Sequence, residues 1–145
     1  MSIDEDVARF SKLPILGQLE AEALRVLAFS CDTLDLSAET YLFRKGDLSE
    51  GGHLLLDGSI GLFDEDRLLK TILPGSLVGE MSLIVNLRMS HSARTLADCS
   101  VLKVKRTLFT RILREYPASA LRVREKIADD LTGFAQALKR LESNS

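Results

Sequence analysis

Gly79-Glu80-Met81-Ser82 is the segment of this 145-residue chain whose residue types point to chemistry. Pro74-Gly75 makes a corner ahead of it, and a loop there turns into one short predicted helical stretch, Met81 to about Val85. Gly79 leaves room for a ligand to approach the backbone. The free amides at a helix start form an anion site, which the helix dipole strengthens. A carboxylate beside such a site is not there to bind the anion. Glu80 would instead accept hydrogen bonds from a neutral hydroxyl, such as that of a sugar, or from a donor elsewhere in the protein. A phosphate and a sugar hydroxyl side by side describe a nucleotide.

The elements that must hold this segment change in texture along the chain. Ile3, Val7 and Phe10, then Leu16, Leu19, Leu24 and Leu27, recur at helical spacings broken by Pro14 and Gly17. Two short helices are predicted over residues 1–30, the second from near Gln18 to Ser30. From about Asp32 to Arg106, short apolar stretches alternate with turn residues: Tyr41 to Phe43, His53 to Leu56, Ile60 to Phe63 and Leu68 to Leu73. Further strands are predicted near 94–96 and 101–105. Asp57-Gly58 reads as a hairpin turn, because glycine accepts the positive φ such turns require. Short strands at this spacing predict an antiparallel sandwich or jelly-roll barrel.

The last third is helical again. Pro117 suits the first turn of a helix, and beyond it Ile127, Leu131, Phe134, Leu138 and Leu141 step by four, three, four and three. That spacing is a coiled-coil seam two heptads long and predicts a homodimer formed through this helix. A helix packed on its own domain needs a similar stripe, but Phe134 to Leu141 would overhang so small a domain.

Composition limits the function classes. The formal charge is −2, with 46% apolar and 28% charged residues, which is ordinary for a globular domain. Residues 1–102 carry nine basic and sixteen acidic side chains, whereas residues 103–145 carry ten and five. The basic tail reads as a solvated helix face, because the chain has no residues over for a separate DNA-binding module such as a helix-turn-helix. No apolar run approaches the roughly 18 residues of a membrane span, and no signal segment opens the chain, so a cytoplasmic location is expected. Cys31 and Cys99 are expected to be small buried apolar groups, and His53 a surface or half-buried strand residue. With only His53 and His91 there is no histidine cluster for a metal, and there is no nucleophile motif or phosphate-binding Gly-Lys loop. No enzymatic activity, metal or cofactor is expected.

Leu42-Phe43-Arg44-Lys45-Gly46-Asp47, Gly58, Pro74-Gly75 ahead of Gly79-Glu80, Leu83-Ile84, and Ala97-Asp98-Cys99 with Val101 to Val104 follow one another in an order that resembles a known family. It is the cyclic-nucleotide-binding domain family, of the catabolite activator protein and kinase A regulatory subunit type. The resemblance covers nearly the whole chain as a single domain, 1–145: helices over 1–30, a β-barrel over 31–106 with a phosphate-binding cassette at 78–92, and helices over 107–142. It implies an α+β fold, an antiparallel double-stranded β-helix (jelly-roll) barrel flanked by N-terminal helices and a long C-terminal helix. It implies cAMP or cGMP as ligand and a C-terminal helix that repositions over the base.

By position, Gly79 and Glu80 match the cassette. The family's glutamate takes the ribose 2′-hydroxyl, and Met81 and Ser82 supply amides to the phosphate. The family's arginine, about nine residues beyond the glutamate, has no direct match. Ungapped alignment puts Met89 at its position, Ser90 after it and Arg88 on the usual proline; a gapped alignment brings in His91. Arg88 is the expected phosphate ligand, provided the backbone of the loop redirects it, since a one-residue slip on a strand reverses the face. Loss of a buried charge-assisted contact costs about 3 kcal/mol, roughly a hundredfold in affinity. The alternative is therefore a family member that has lost its nucleotide and serves as a dimerisation or protein-interaction domain.

Overall fold

Ser2 starts the first helix, α1 (Ile3–Ser11), by accepting the Glu5 N–H on its hydroxyl at 3.2 Å. Asp4, Glu5 and Asp6 fill its first turn, where the helix dipole favours negative charge. The computed structural model describes residues 2–143. Beyond Pro14, a single 3-10 turn (Leu16–Gln18) leads to α2 (Ala21–Ser30). The second helix thus begins later than its apolar spacing suggests. Leu19 has already left helical geometry at ψ 141°, and the Glu20 N–H donates to Ser119 Oγ at 2.9 Å, tying this corner to the last helix.

Eight strands follow: β1 (Asp32–Leu36), β2 (Tyr41–Phe43), β3 (Gly51–Asp57), β4 (Ile60–Asp64), β5 (Arg67–Ile72), β6 (Leu77–Val78), β7 (Ser92–Thr95) and β8 (Cys99–Lys105). They form two antiparallel four-stranded sheets, ordered β1-β8-β3-β6 and β2-β7-β4-β5. The jelly-roll class holds, but the sheets do not close into a barrel, and β1, β6, β2 and β5 remain edges. Gly58 does take a positive φ of 95°. The turn it makes, however, carries the chain from one sheet to the other, since β3 pairs with β6 and β8 while β4 pairs with β5 and β7. The hairpin partner of β4 is β5, across the acidic turn at Asp64 to Arg67.

β3 and β8 are buried on both faces, and that places the core. Leu54, Leu102 and Val104 pack with Phe10, Leu16, Leu27, Phe109 and Ile112 of the helical layer. Leu55 and Val101 point the other way, onto Ile60, Ile72 and Ala93 between the sheets. Truncating any of these buried leucines to alanine should cost about 2–5 kcal/mol.

After β8 the chain enters α3 (Arg106–Glu115) and then α4 (Pro117–Ser143), with proline at the first helical position, where its missing N–H costs nothing. Val123 is buried and Ile127 half-buried, but every residue from Ala128 to Glu142 is exposed. Leu131 and Phe134 are each 64% exposed. The helix therefore overhangs the domain. Among the described residues no helix is long and apolar enough to cross a membrane.

Candidate functional site

Gly79 ends β6 in the left-handed region, φ 80° and ψ 38°. A side chain there would be strained by about 1–2 kcal/mol, and its Cβ would stand 3.2 Å from the Gly51 carbonyl oxygen. This reversal throws the chain into a 3-10 turn, Glu80–Leu83, which is shorter and tighter than the predicted helix and begins one residue earlier. The Ser82 N–H, expected to serve the phosphate, is instead taken up by the Gly79 carbonyl at 3.0 Å, and the Ile84 and Val85 N–H groups donate to Met81 at 3.1 Å. Glu80 and Met81 precede any acceptor that the turn itself offers. Among the described residues, neither amide donates to another backbone or side-chain group.

The far end of the turn is held by one guanidinium. Arg106 Nη1 donates to the carbonyls of Ser82 (3.2 Å), Val85 (3.3 Å) and Ser49 (3.1 Å). A cation at the carbonyl end complements the dipole and leaves the amide end open.

Glu80 is half-buried, and its carboxyl is held above the ordinary range, first by burial and then by the negative charge of Asp130, with Lys126 acting against both. Both charged neighbours belong to α4, where Lys126 Nζ and Asp130 Oδ1 are 3.1 Å apart. The long helix therefore brings an ion pair into the electrostatic environment of Glu80. Neither residue carries a local sequence signal.

Gly79, Glu80, Met81 and Ser82 come together as one turn. Met89 joins them: it is half-buried, and its sulfur lies 3.9 Å from Ser82 Oγ. Its backbone is fixed on both sides, with its N–H donating to Asp47 and its carbonyl accepting from Gly46, each at 2.8 Å. Arg88 does not join them. It pairs with Leu48 in an isolated antiparallel bridge, is exposed, and donates from Nη1 to the Gly46 carbonyl at 3.0 Å. Its guanidinium is thus held at the Gly46 turn rather than at the Gly79–Ser82 turn. Ser90 is exposed as well, its hydroxyl 3.1 Å from the His91 ring. The Ser92 hydroxyl accepts the Lys45 N–H at 2.9 Å, and Thr132 Oγ1 donates back to the Ala128 carbonyl at 3.0 Å.

Two concavities involve the turn or residues packed on it. One, of about 360 Å³, is bordered by Phe43, His53, Met89 and Lys103. His53 Nδ1 is buried there without a partner, and burial, with Lys103 adding to it, pulls the imidazole down to about 4. The other, of about 320 Å³, is an apolar groove in which Leu83 and Ile84 face Phe109, Leu113, Val123 and Ile127. Cys99 is buried and Cys31 half-buried; burial, with Asp6 and Asp32 adding to it, pushes the Cys31 thiol up to about 12, which leaves it unreactive.

The sequence model of the cyclic nucleotide-binding domain matches residues 33–116. The chain is 32% identical to the cyclic AMP receptor protein of Thermus thermophilus over 114 residues, which are 69% of this chain and 53% of that protein. The chain spans about half or less of the length of the curated relatives it matches. Among solved structures, a cyclic nucleotide-binding-like protein from Brucella abortus is 30% identical, with a TM-score of 0.71 over 77% of this chain and 99% of that one. The N-terminal domain of a transcriptional regulator from Streptomyces coelicolor has the same fold, with a TM-score of 0.81 at 22% identity over 92% and 95% of the two chains.

Proposed function

Because this chain belongs to the cyclic nucleotide-binding domain family, we propose that it is a regulatory module that binds cAMP or cGMP at the Gly79–Ser82 turn and couples binding to movement of α4. The observation that carries this is the turn itself, in which the Glu80 and Met81 amides have no internal partner and the Glu80 carboxyl beside them is half-buried. The phosphate is received by the Glu80 and Met81 amides, with Ser82 and Met89 beneath it and Arg88 and Ser90 on the rim. Ionised Glu80 accepts the ribose 2′-hydroxyl. Leu83 and Ile84 carry any shift of the turn into the apolar groove they share with α3 and α4. A ligand biases that movement only by its different affinity for the two arrangements. The protein acts by binding, and its output passes to a second copy through the exposed stripe of α4.

Thermal unfolding with and without nucleotide tests this. At a hundred times its dissociation constant, a ligand adds about 2.7 kcal/mol, a rise in Tm of several degrees for a domain of this size. No rise with millimolar cAMP or cGMP overturns the proposal.

Met89 favours a second reading, a family member that keeps the fold as a dimerisation or protein-interaction domain without a nucleotide. Under that reading Glu80→Ala changes no nucleotide response, because none exists. Measurable cAMP affinity that this substitution abolishes rules it out.

A further inference from the structure

The segment that receives the phosphate keeps its one cation at the rim, where Arg88 donates to Gly46, and presents a thioether from Met89 beside the turn. The turn of α4 facing it carries another cation. Val123, Arg124 and Ile127 line the groove against Leu83 and Ile84; Lys126 and Asp130 flank it, following Val123 at the i+3 and i+7 spacing that keeps residues on one side of a helix. We propose that Lys126 is the counter-cation of the bound phosphate, exchanging Asp130 for the ligand when the nucleotide enters. This rests on the cyclic-nucleotide reading of the Gly79–Ser82 turn and deepens it: α4 becomes part of the binding site.

Three observations support the exchange. Lys126 is held by a single i,i+4 carboxylate at 3.1 Å, and its side chain is 34% exposed, enough to swing without unpacking the core. Such helix-surface pairs are weak, so a doubly hydrogen-bonded phosphate displaces the carboxylate readily. Lys126 and Asp130 are also the two charged groups whose fields act on Glu80, the carboxylate assigned to the ribose. The consequence is mechanical. In a cassette with its own arginine, the phosphate is satisfied locally; here it must draw on the helix that transmits the signal.

Calorimetric titration of the full chain with cAMP tests the assignment. Lys126→Gln should weaken binding at least tenfold, and Lys126→Arg should restore most of it. Asp130→Asn should tighten binding severalfold, because it removes both the competitor for Lys126 and a negative charge near the phosphate. Arg140→Gln, farther along the same helix, should change nothing. Wild-type affinity in Lys126→Gln, or weakening in Asp130→Asn equal to that in Lys126→Gln, overturns the proposal, the latter because it marks the pair as merely structural. A wild type that binds no cAMP while Met89→Arg does also overturns it and leaves the family reading of the turn intact. Silence from both proteins brings down the nucleotide reading itself, and this inference with it.

Discussion

The Met89 sulfur lies 3.9 Å from the Ser82 hydroxyl, at the edge of the turn where a cyclic nucleotide's phosphate is proposed to sit. Met89→Arg would put a guanidinium beside the Glu80 and Met81 amides. A buried charge-assisted contact of this kind is worth about 3 kcal/mol, roughly a hundredfold in affinity. Titration of the variant with cAMP should show that gain. An unchanged affinity means that the Met89 side chain does not face the phosphate.

The proposed role of Glu80 makes nucleotide binding depend on pH. Its carboxyl is raised by burial and by Asp130, and it must be ionised to accept a hydroxyl. Affinity should therefore fall as pH drops through the raised value and recover above it. The free protein shows the opposite sign: a carboxyl raised on folding stabilises the fold below its unfolded value, and that contribution is lost as pH rises through the folded one. Glu80→Gln should thus raise the Tm of the ligand-free protein at pH 7, with the gain vanishing in acid. Equal Tm values at pH 7 count against a buried Glu80.

His53 acts in acid. Burial, with Lys103 adding to it, brings its imidazole down to about 4 from the ordinary 6.5, so the unfolded chain binds more protons between these values. The stability this group contributes is present above 6.5 and is lost as pH falls toward 4. Denaturant unfolding over that window should give a steeper loss for the wild type than for His53→Gln. Parallel curves indicate an imidazole that titrates normally.

The stripe on α4 predicts assembly. Leu131 and Phe134 are each 64% exposed, on a helix in which every residue from Ala128 to Glu142 is exposed. Sedimentation should show a dimer for the wild type and a monomer for Phe134→Glu. A monomeric wild type assigns the stripe to some other partner.

How far the sequence could be read follows from which signals are local. Leu54-Leu55 and Val101-Leu102 are apolar because both faces of β3 and β8 are covered, and such runs stand out in any window. β6 is only Leu77–Val78, too short to show a period, and β1 is five residues with little buried surface. The turn at Gly58 was legible as a turn but not as a crossing between sheets, which depends on distant pairing partners. Gly79-Glu80 was legible because a glycine at φ 80° and a carboxylate beside open amides need those residue types. The displaced guanidinium was legible by spacing, but where Arg88 points was not, since the Gly46 carbonyl that holds it comes from another stretch of chain. Lys126 and Asp130 were invisible for the same reason: only folding brings them to Glu80.

The most direct test of the whole account is calorimetric titration of the wild type and Glu80→Ala with cAMP and cGMP at neutral pH. The account predicts saturable heat with at least one nucleotide for the wild type and its loss in the variant. No heat from the wild type at millimolar nucleotide, or equal heat from both proteins, contradicts it.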